Sequence, residues 1–247
     1  MTYFAKIKYL GTEFHGFQVQ PGKRTVQGEL CRALSLALGV PCSVTGCSRT
    51  DSGVHANAFC IKVVADGATV PADKLPVAVS KFLPCDLSLF YAIECDSNFH
   101  PRYNAVSKEY VYRIINERVY DPFEYGRAWF LPKLIDENAV KLMNKAAQIL
   151  VGKHDFSSFM SVGSDVQDTV RTVNYIEVLK VDSLITVKIC ADGFLYNMVR
   201  IIVGTLFEVA FGRIDLDKIS ELIMSPNRKN AGPTAPPEGL YLNKVNY

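Results

Sequence analysis

Residues 46–56, with the sequence GCSRTDSGVHA, place an acid, an imidazole, a guanidinium and several hydroxyl groups within eleven positions. The segments on either side, residues 42–45 and 58–64, alternate or run apolar in the manner of β-strands. The stretch is therefore predicted to be a strand end and a connecting loop at the rim of a sheet, a common location for catalytic residues. Asp51 is the residue in it best suited to chemistry on a substrate.

Three interpretations of Asp51 fit the residue types. Asp-Ser-Gly is ordinary turn chemistry, in which the aspartate oxygen accepts a hydrogen bond from the backbone two residues on. Asp51 could instead be a carboxylate kept ionised by a neighbouring arginine and used on a substrate. The triplet also matches that of aspartic peptidases, but there it normally follows an apolar strand and occurs twice or in a symmetric dimer. Here Arg49 and Thr50 precede it, and the chain contains no second copy.

Composition limits the class of protein without naming a function. The 247 residues are 49% apolar and 21% charged, which is the balance of a globular protein with one large or two small domains. No run approaches the ~18 apolar residues of a membrane helix, and the strand-like start predicts no signal peptide. The seven cysteines form no Cys-x-x-Cys pair and the four histidines lie at no metal-ligand spacing, so we expect no metal, reduced thiols and a cytoplasmic location. The net charge of +2 neither supports nor excludes a nucleic-acid surface.

The periodicity of the chain predicts two halves with the same order of elements. In the first half we predict a strand over residues 2–9, a helix over 26–38, strands over 42–48 and 58–65, a helix over 71–83 and a strand over 87–95. In the second half we predict a strand over residues 109–115, a helix over 136–150, a hairpin of 170–181 and 184–191, helices over 195–211 and 216–224, and a strand over 239–245.

Each half is thus a β-α-β-β-α-β unit, and the second has one helix added. The predicted fold class is α+β: two related, ferredoxin-like halves with antiparallel sheets, helices on one face, and an active-site cleft between the halves. The predicted domains are residues 1–96, a joint over 97–107, and residues 108–247. Between the first strand and helix, residues 11–22 form a glycine-flanked segment of aromatic and amide side chains, which predicts either a surface loop or a base-stacking contact to RNA.

Six sequence blocks together resemble the TruA family of tRNA pseudouridine synthases. They are FHGFQVQ (residues 14–20), RTDSGVHA (49–56), FHPRYNA with KEYVYRI (99–105 and 108–114), GKHDFSSF (152–159), MVRIIVG (198–204) and APPEGLYL (235–242). They occur in the family's order and cover the chain from end to end. Small departures are Cys47 and Ser48, where the family usually has a small residue and glycine, and Ser52, where alanine is common.

The resemblance implies a cofactor-free isomerase that converts uridine to pseudouridine in the anticodon stem-loop of tRNA, at positions 38 to 40. It also implies one long sheet built from two related halves, and a homodimer. By resemblance Asp51 is the catalytic carboxylate and Tyr110 the active-site tyrosine, with its ring on the flipped uracil.

Four further residues have predicted roles. Arg200, in an otherwise apolar helix, is predicted to pair with the carboxylate of Asp51; the alternative is an arginine that extends from a core helix to solvent. Arg49 is predicted to contact RNA phosphate or to fill the space left by the flipped base. Leu242 is predicted to form an apolar wall of the substrate pocket. His55 is expected to be structural or to face RNA, not to act in catalysis.

Two other functions remain open at this point. One is a catalytically silent RNA-binding or chaperone module with the same fold, and the remoter one is an aspartic peptidase. The basic side chains that could form an RNA track are Lys23, Arg24, Arg49, Arg102, Lys108 and Arg113.

Overall fold

The computed structural model describes residues 1–163 and 166–247, and it has the predicted α+β class. Its contacts divide the chain into two compact units, residues 1–106 with 241–247 and residues 107–240. The last seven residues thus belong to the first unit. The predicted division into functional domains, with a joint over residues 97–107, stays a prediction. In the described part of the chain, no helix has the length and apolar character needed to span a membrane.

The first unit is a sheet with two helices. Its elements are strand β1 (Thr2–Tyr9), helix α1 (Val26–Leu38), strands β2 (Ser43–Gly46) and β3 (His55–Val64), helix α2 (Leu75–Ser80) and strand β4 (Leu87–Glu94). Strand β1 pairs antiparallel with β3 on one side and β4 on the other, and β2 pairs antiparallel with β3. From Tyr241 onward, strand β10 (Leu240–Asn246) belongs to this unit and pairs parallel with β3, a departure from the predicted antiparallel sheet.

Strand alternation decides which face of this sheet is buried. The alternation of residues 2–9 predicts that Tyr3, Ala5, Ile7 and Tyr9 share one face of β1. All four are at most 4% exposed, which confirms that face as the buried one. The neighbouring positions Lys6 and Lys8 lie on the opposite face and are half-buried and exposed, respectively. Helix α1 begins as predicted, because the Thr25 side chain accepts a hydrogen bond from the Gly28 N–H.

The second unit has its own sheet and three helices. Its elements are strands β5 (Ser107–Ile115) and β6 (Trp129–Phe130), helix α3 (Glu137–Ile149), strands β7 (Gly152–Asp155), β8 (Val170–Val181) and β9 (Leu184–Ala191), and helices α4 (Met198–Ala210) and α5 (Leu216–Met224). The strand order β5-β9-β8-β7 is antiparallel, and the two-residue β6 pairs parallel with β5. The hairpin of β8 and β9 and helix α5 have the predicted bounds.

Three predicted helices differ in detail. The helix predicted over residues 71–83 is a 3-10 turn (Ala72–Lys74) followed by α2, and Pro76 is tolerated in the first helical turn because no N–H is needed there. Helix α4 begins at Met198 and not at residue 195, since Asn197 has a left-handed backbone with φ 60°. Helix α5 has the predicted bounds, but Asp215, which the sequence predicts to cap it, occupies the N-cap position without a side-chain capping hydrogen bond.

Candidate active site

The loop that carries Asp51 connects β2 to β3 and is fixed at three points by β1 and the segment that follows it. The Phe17 N–H donates to the Thr50 carbonyl (3.1 Å), and the Ser52 hydroxyl donates to the Phe14 carbonyl (3.2 Å). The Thr50 hydroxyl shares a buried hydrogen bond with the Tyr9 hydroxyl at 2.8 Å. These contacts order the backbone around Asp51, and Asp51 itself remains half-exposed. A loop held in this way presents a carboxylate in a defined position.

The aromatic residues of the segment at residues 11–22 belong to the core. Phe14 and Phe17 are 1% and 3% exposed, and the Phe17 ring stacks on Phe59 with the centroids 4.4 Å apart. The prediction that these aromatics stack on RNA bases is therefore wrong. They anchor the Asp51 loop to the sheet instead, because a buried ring cannot reach a base without unfolding its surroundings. The polar members of the segment, His15, Gln18 and Gln20, are exposed.

His55, the first residue of β3, is structural. It is fully buried, its Nδ1 accepts a hydrogen bond from the Gly11 N–H at 2.8 Å, and its ring stacks on Tyr241 at 4.5 Å. Gly11 is needed at that point because a Cβ on it would lie 1.9 Å from the Val54 carbonyl oxygen. Of the two expectations for His55, the structure supports the structural role.

The other two predicted site residues of the first unit differ in exposure. Arg49 is exposed on the same loop as Asp51, two positions before it. Leu242 is fully buried and lies opposite Ala56 in the parallel pairing of β10 with β3. Leu242 is therefore part of the apolar core of this unit, and its contact with substrate stays a prediction.

Tyr110 lies on β5 in the second unit, where it pairs with Ile189 of β9. It is 6% exposed, and its ring makes an edge-to-face contact with Phe194 at 4.9 Å between centroids. Tyr112 lies on the same face, fully buried, and donates a 2.6 Å hydrogen bond to the Pro236 carbonyl. Burial raises the pKa of Tyr112 far above its usual value, with Glu238 adding to the rise, so this hydroxyl stays a donor at any physiological pH.

Arg200 is held in the first turn of α4 by hydrogen bonds to two neutral oxygens. Its Nε donates to the Ala235 carbonyl and its NH1 donates to the Asn197 Oδ1, both at 2.7 Å. The Ala235 N–H donates back to the Arg200 carbonyl at 3.1 Å, and the Asn197 amide donates to the Ser161 hydroxyl at 3.0 Å. The guanidinium is thus fixed in place. An arginine that only extended from the core helix to solvent would not need such hydrogen bonds.

The structure therefore places Arg49 and Asp51 on one anchored loop and puts Leu242 in the core of the same unit. It places Tyr110 and Arg200 in the second unit, on a strand and a helix that pack together. The residues that hold these groups in place, namely Tyr9, Thr50, Asn197 and Ala235, were not predicted from the sequence. The position of Asn197, three residues before Arg200 at a helix start, was the one available signal.

The pair His154 and Asp155 does not form a dyad. From the sequence, the two residues are expected to lie in a loop held by local hydrogen bonds. The hydrogen bonds are present: His154 Nε2 contacts the Val151 carbonyl, and Asp155 Oδ1 accepts from the Thr169 hydroxyl and the Ser157 N–H. The segment is strand β7, however, and not the predicted loop. Among the residues that the structure describes, no group of three or more His, Cys, Asp or Glu side chains could hold a metal ion.

Comparison with known proteins finds a family model and relatives whose sequences match this chain. A family model described as tRNA pseudouridine synthase matches residues 146–247. The tRNA pseudouridine synthase A of Thermoanaerobacter sp. (strain X514) is 41% identical over 243 residues, which are 98% of this chain and 97% of the relative. That of Clostridium botulinum (strain Alaska E43 / Type E3) is 42% identical over 241 residues, with the same coverage.

A solved structure, a Cbf5-Nop10-Gar1 complex, matches with 10% identity and a TM-score of 0.34. The match covers 98% of this chain and 58% of the other. A likeness of that degree is too low to support an argument about fold or function.

Proposed function

Because the chain belongs to the tRNA pseudouridine synthase A family, we propose that it modifies uridines at positions 38 to 40 of the anticodon stem-loop. The reaction of the family is the isomerisation of uridine to pseudouridine in tRNA. The proposal rests on the match to the relatives over nearly their whole length. The position of Asp51 on an anchored, half-exposed loop supports it.

The reaction rearranges one nucleoside and needs no second substrate. The bond from C1′ to N1 breaks, the uracil turns, and C1′ joins C5, while C5 loses its proton and N1 gains one. The atoms and electrons balance within the nucleotide and water, so the chemistry needs no oxidant, reductant or group donor. A stacked base cannot turn, so the target must first leave the stack, at a cost of a few kcal/mol.

Asp51 is the group that starts the rearrangement. It attacks the ring, attacks the sugar or takes a sugar proton, and the three routes share the need for an ionised carboxylate. The three contacts that order its loop support the role, because an acid positioned before substrate binding avoids the cost of ordering it during the reaction.

The remaining roles are carried by the family resemblance. Tyr110 places its ring on the uracil and offers its hydroxyl for proton transfer. Arg200 favours the charged form of Asp51, and the two hydrogen bonds that fix its guanidinium support a positioning role. Arg49 contacts phosphate or fills the space left by the flipped base, and Leu242 contributes apolar surface at the substrate.

The replacement Asp51→Asn tests the proposal, since it removes the charge and keeps the shape. We expect tRNA binding within about twofold of wild type and no measurable tritium release from C5-labelled tRNA. Asp66→Asn, at an exposed turn residue of the same unit, is the matched control and should leave both measurements unchanged. Turnover by Asp51→Asn close to wild type would remove Asp51 from the chemistry. Absence of tritium release from the wild-type protein would favour a silent RNA-binding module instead.

Mapping of pseudouridines in tRNA from cells that lack this gene tests the position. Loss at any of positions 38 to 40, and at no others, is expected. We also propose a homodimer and a cytoplasmic location, as in the resemblance. Sedimentation equilibrium should give twice the chain mass of 27.5 kDa, and cell fractionation should place the protein with the cytoplasmic tRNA pool.

A further inference from the structure

The face of β1 and β4 that points away from α1 and α2 combines lysines with exposed aromatic rings. Lys6 and Lys8 lie on β1, and Phe90, Tyr91 and Ile93 lie on the edge strand β4, where they are 42%, 42% and 44% exposed. We call these five residues the Lys–aromatic face. Large apolar side chains exposed next to one another on a sheet often mark a binding surface for another molecule.

The register of the two strands shows how this face is built. Lys6 lies opposite Tyr91 and Lys8 lies opposite Ser88, so these side chains share one face of the sheet. Between Lys6 and Ile7 the register shifts by one residue, and Phe90 is the extra residue of this β-bulge. A bulge redirects a side chain out of the regular alternation. Here it adds a second exposed ring next to Tyr91.

Each lysine already interacts with one of the rings. The Lys6 Nζ lies 5.4 Å from the Tyr91 ring centroid, and the Lys8 Nζ lies 4.7 Å from the Phe90 ring centroid. These distances are within the range of cation–π contacts. The positive charge is therefore held beside the ring faces, where a base and its phosphate would lie together.

A cavity of about 230 Å³ continues this face beyond Lys8. Its lining includes Lys8, Ser88, Tyr241 and Asn57, whose amide donates to Asn243 Oδ1 at 2.8 Å. Amide and hydroxyl groups in such a depression can contact base edges and sugars.

We propose that the Lys–aromatic face binds an unpaired segment of the tRNA substrate, with Phe90 and Tyr91 stacking on bases and Lys6 and Lys8 contacting phosphates. The ligand class rests on the proposed function, but the surface does not include any residue assigned to the reaction. Aromatic platforms flanked by basic side chains are the usual means of binding single-stranded nucleic acid.

Two alternative roles for the Lys–aromatic face fit the pattern less well. Protection of a sheet edge from aggregation would place charges along the edge strand itself. Strand β4 has a charge only at its last residue, Glu94, and carries rings at its centre, while the lysines lie on β1. Pairing with a second copy about a two-fold axis would bring together two faces that each carry two lysines, and this accumulation of like charge is unfavourable.

The test compares two double variants with one control at several salt concentrations, using full-length tRNA in filter binding. Lys6→Gln/Lys8→Gln should weaken binding about tenfold and reduce the slope of log affinity against log salt by about 2. Phe90→Leu/Tyr91→Leu should weaken binding about fivefold or more with the slope unchanged, because it removes stacking but neither charge nor apolar cover. Lys74→Gln/Lys81→Gln carries the same loss of charge on exposed residues near helix α2 and should leave both quantities as in wild type.

Turnover and mass separate this inference from the proposed function. The variants should raise KM with kcat unchanged. If they bind tRNA as wild type does while wild type forms pseudouridine, the inference is wrong and the proposed function stands. If they sediment at a lower mass than wild type, the face is an interface between two copies and the RNA assignment is overturned. If the control pair weakens binding equally, the effect is long-range charge and the contact assignment fails.

Discussion

Tyr110 and Tyr112 lie on the same face of one strand, but their hydroxyl groups are expected to have different roles. The Tyr112 hydroxyl donates to the Pro236 carbonyl at 2.6 Å, whereas Tyr110 is the tyrosine that the family resemblance assigns to the substrate. The pair therefore allows a structural role and a chemical role to be separated by the loss of one oxygen atom each.

We predict that Tyr112→Phe lowers the free energy of unfolding by about 1 kcal/mol, because the part-buried Pro236 carbonyl loses its partner. Tyr110→Phe should instead lower kcat, with the affinity for tRNA unchanged because the ring remains. Urea unfolding and steady-state tritium release on both variants measure the two effects. Equal kcat for Tyr110→Phe and wild type would limit Tyr110 to stacking.

Local hydrogen bonds to Asp155 make part of the free energy of unfolding of the second unit dependent on pH in the acid range. Partial burial raises the pKa of its carboxyl, but hydrogen bonds from the Thr169 hydroxyl and the Ser157 N–H outweigh that effect, so the pKa lies below its usual value. A carboxyl with a lowered pKa in the folded state stabilises the protein above its unfolded-state pKa of about 3.9. That contribution is lost as the pH falls through the folded-state pKa.

We predict that Asp155→Asn lowers the free energy of unfolding at pH 7 by somewhat less than about 1 kcal/mol, since solvent screens the half-exposed carboxylate. The difference from wild type should shrink as the pH falls below the unfolded-state pKa and through the lowered folded-state pKa, because the wild-type carboxyl then becomes protonated. Urea midpoints at pH 7, 5 and 3 provide the measurement, with Asp66→Asn as the exposed control. A difference that persists undiminished at low pH would assign the effect to side-chain packing and not to charge.

Helix α4 is tied to the segment before β10 by backbone contact as well as by Arg200. A Cβ on Gly204 would lie 1.9 Å from the Pro233 carbonyl oxygen, and the Gly232 N–H donates to the Thr205 hydroxyl at 2.9 Å. The same segment supplies the Ala235 carbonyl that holds the Arg200 guanidinium. The close approach at Gly204 thus helps to set the position of a proposed active-site group.

We predict that Gly204→Ala destabilises the protein by at least about 2 kcal/mol, because the backbone clash outweighs the gain of about 1 kcal/mol in helix propensity. Gly212→Ala is the comparison: its Cβ would meet nothing within 4 Å, but its φ of +68° makes alanine cost about 1 kcal/mol. Thermal or urea unfolding ranks the two. A smaller loss for Gly204→Ala than for Gly212→Ala would show that the segment at residues 232–235 moves aside easily. In that case the variant should also retain turnover.

Elements with a strong local period were predictable, and elements fixed by distant contacts were not. The hairpin of β8 and β9 and helix α5 have the predicted bounds because their apolar spacing is contained in the segment itself. The start of α4 depends on Asn197, whose side chain bonds Ser161 at a separation of 36 residues. Strand β6 was missed because two residues carry no periodicity.

The candidate site divides in the same way. Asp51, Arg49, Tyr110 and Arg200 were found from residue types and family motifs, which lie within short stretches of sequence. The burial of Phe17 was not predictable, because its ring stacks on Phe59, which lies more than 40 residues away in the sequence. A glycine-flanked aromatic segment predicts base stacking only if its rings are exposed, and exposure is a property of the folded chain.

The RNA track expected from the sequence is reduced once the partners of each cation are known. Arg24 forms a bidentate ion pair with Asp86, with both N–O distances 2.8 Å, and Arg113 pairs with Glu124 at 3.1 Å. Lys108 is 9% exposed. Lys23, Arg49 and Arg102 are exposed. Since the net charge is only +2, affinity for tRNA must come from such exposed side chains and not from the overall field of the protein.

Lys23 and Arg24 provide a matched test of whether exposed cations bind RNA and ion-paired ones do not. They are adjacent, and each loses one positive charge when changed to glutamine. We predict that Lys23→Gln reduces the slope of log affinity against log salt by about 0.9, the value for one phosphate contact, with unfolding unaffected. Arg24→Gln should leave the slope as in wild type and lower the free energy of unfolding by about 1 kcal/mol, because it leaves Asp86 without its partner. Filter binding over a salt series and urea unfolding measure both. Equal changes of slope in the two variants would mean that Arg24 leaves Asp86 to bind RNA, and that the ion pairs of the free protein do not predict its contacts to tRNA.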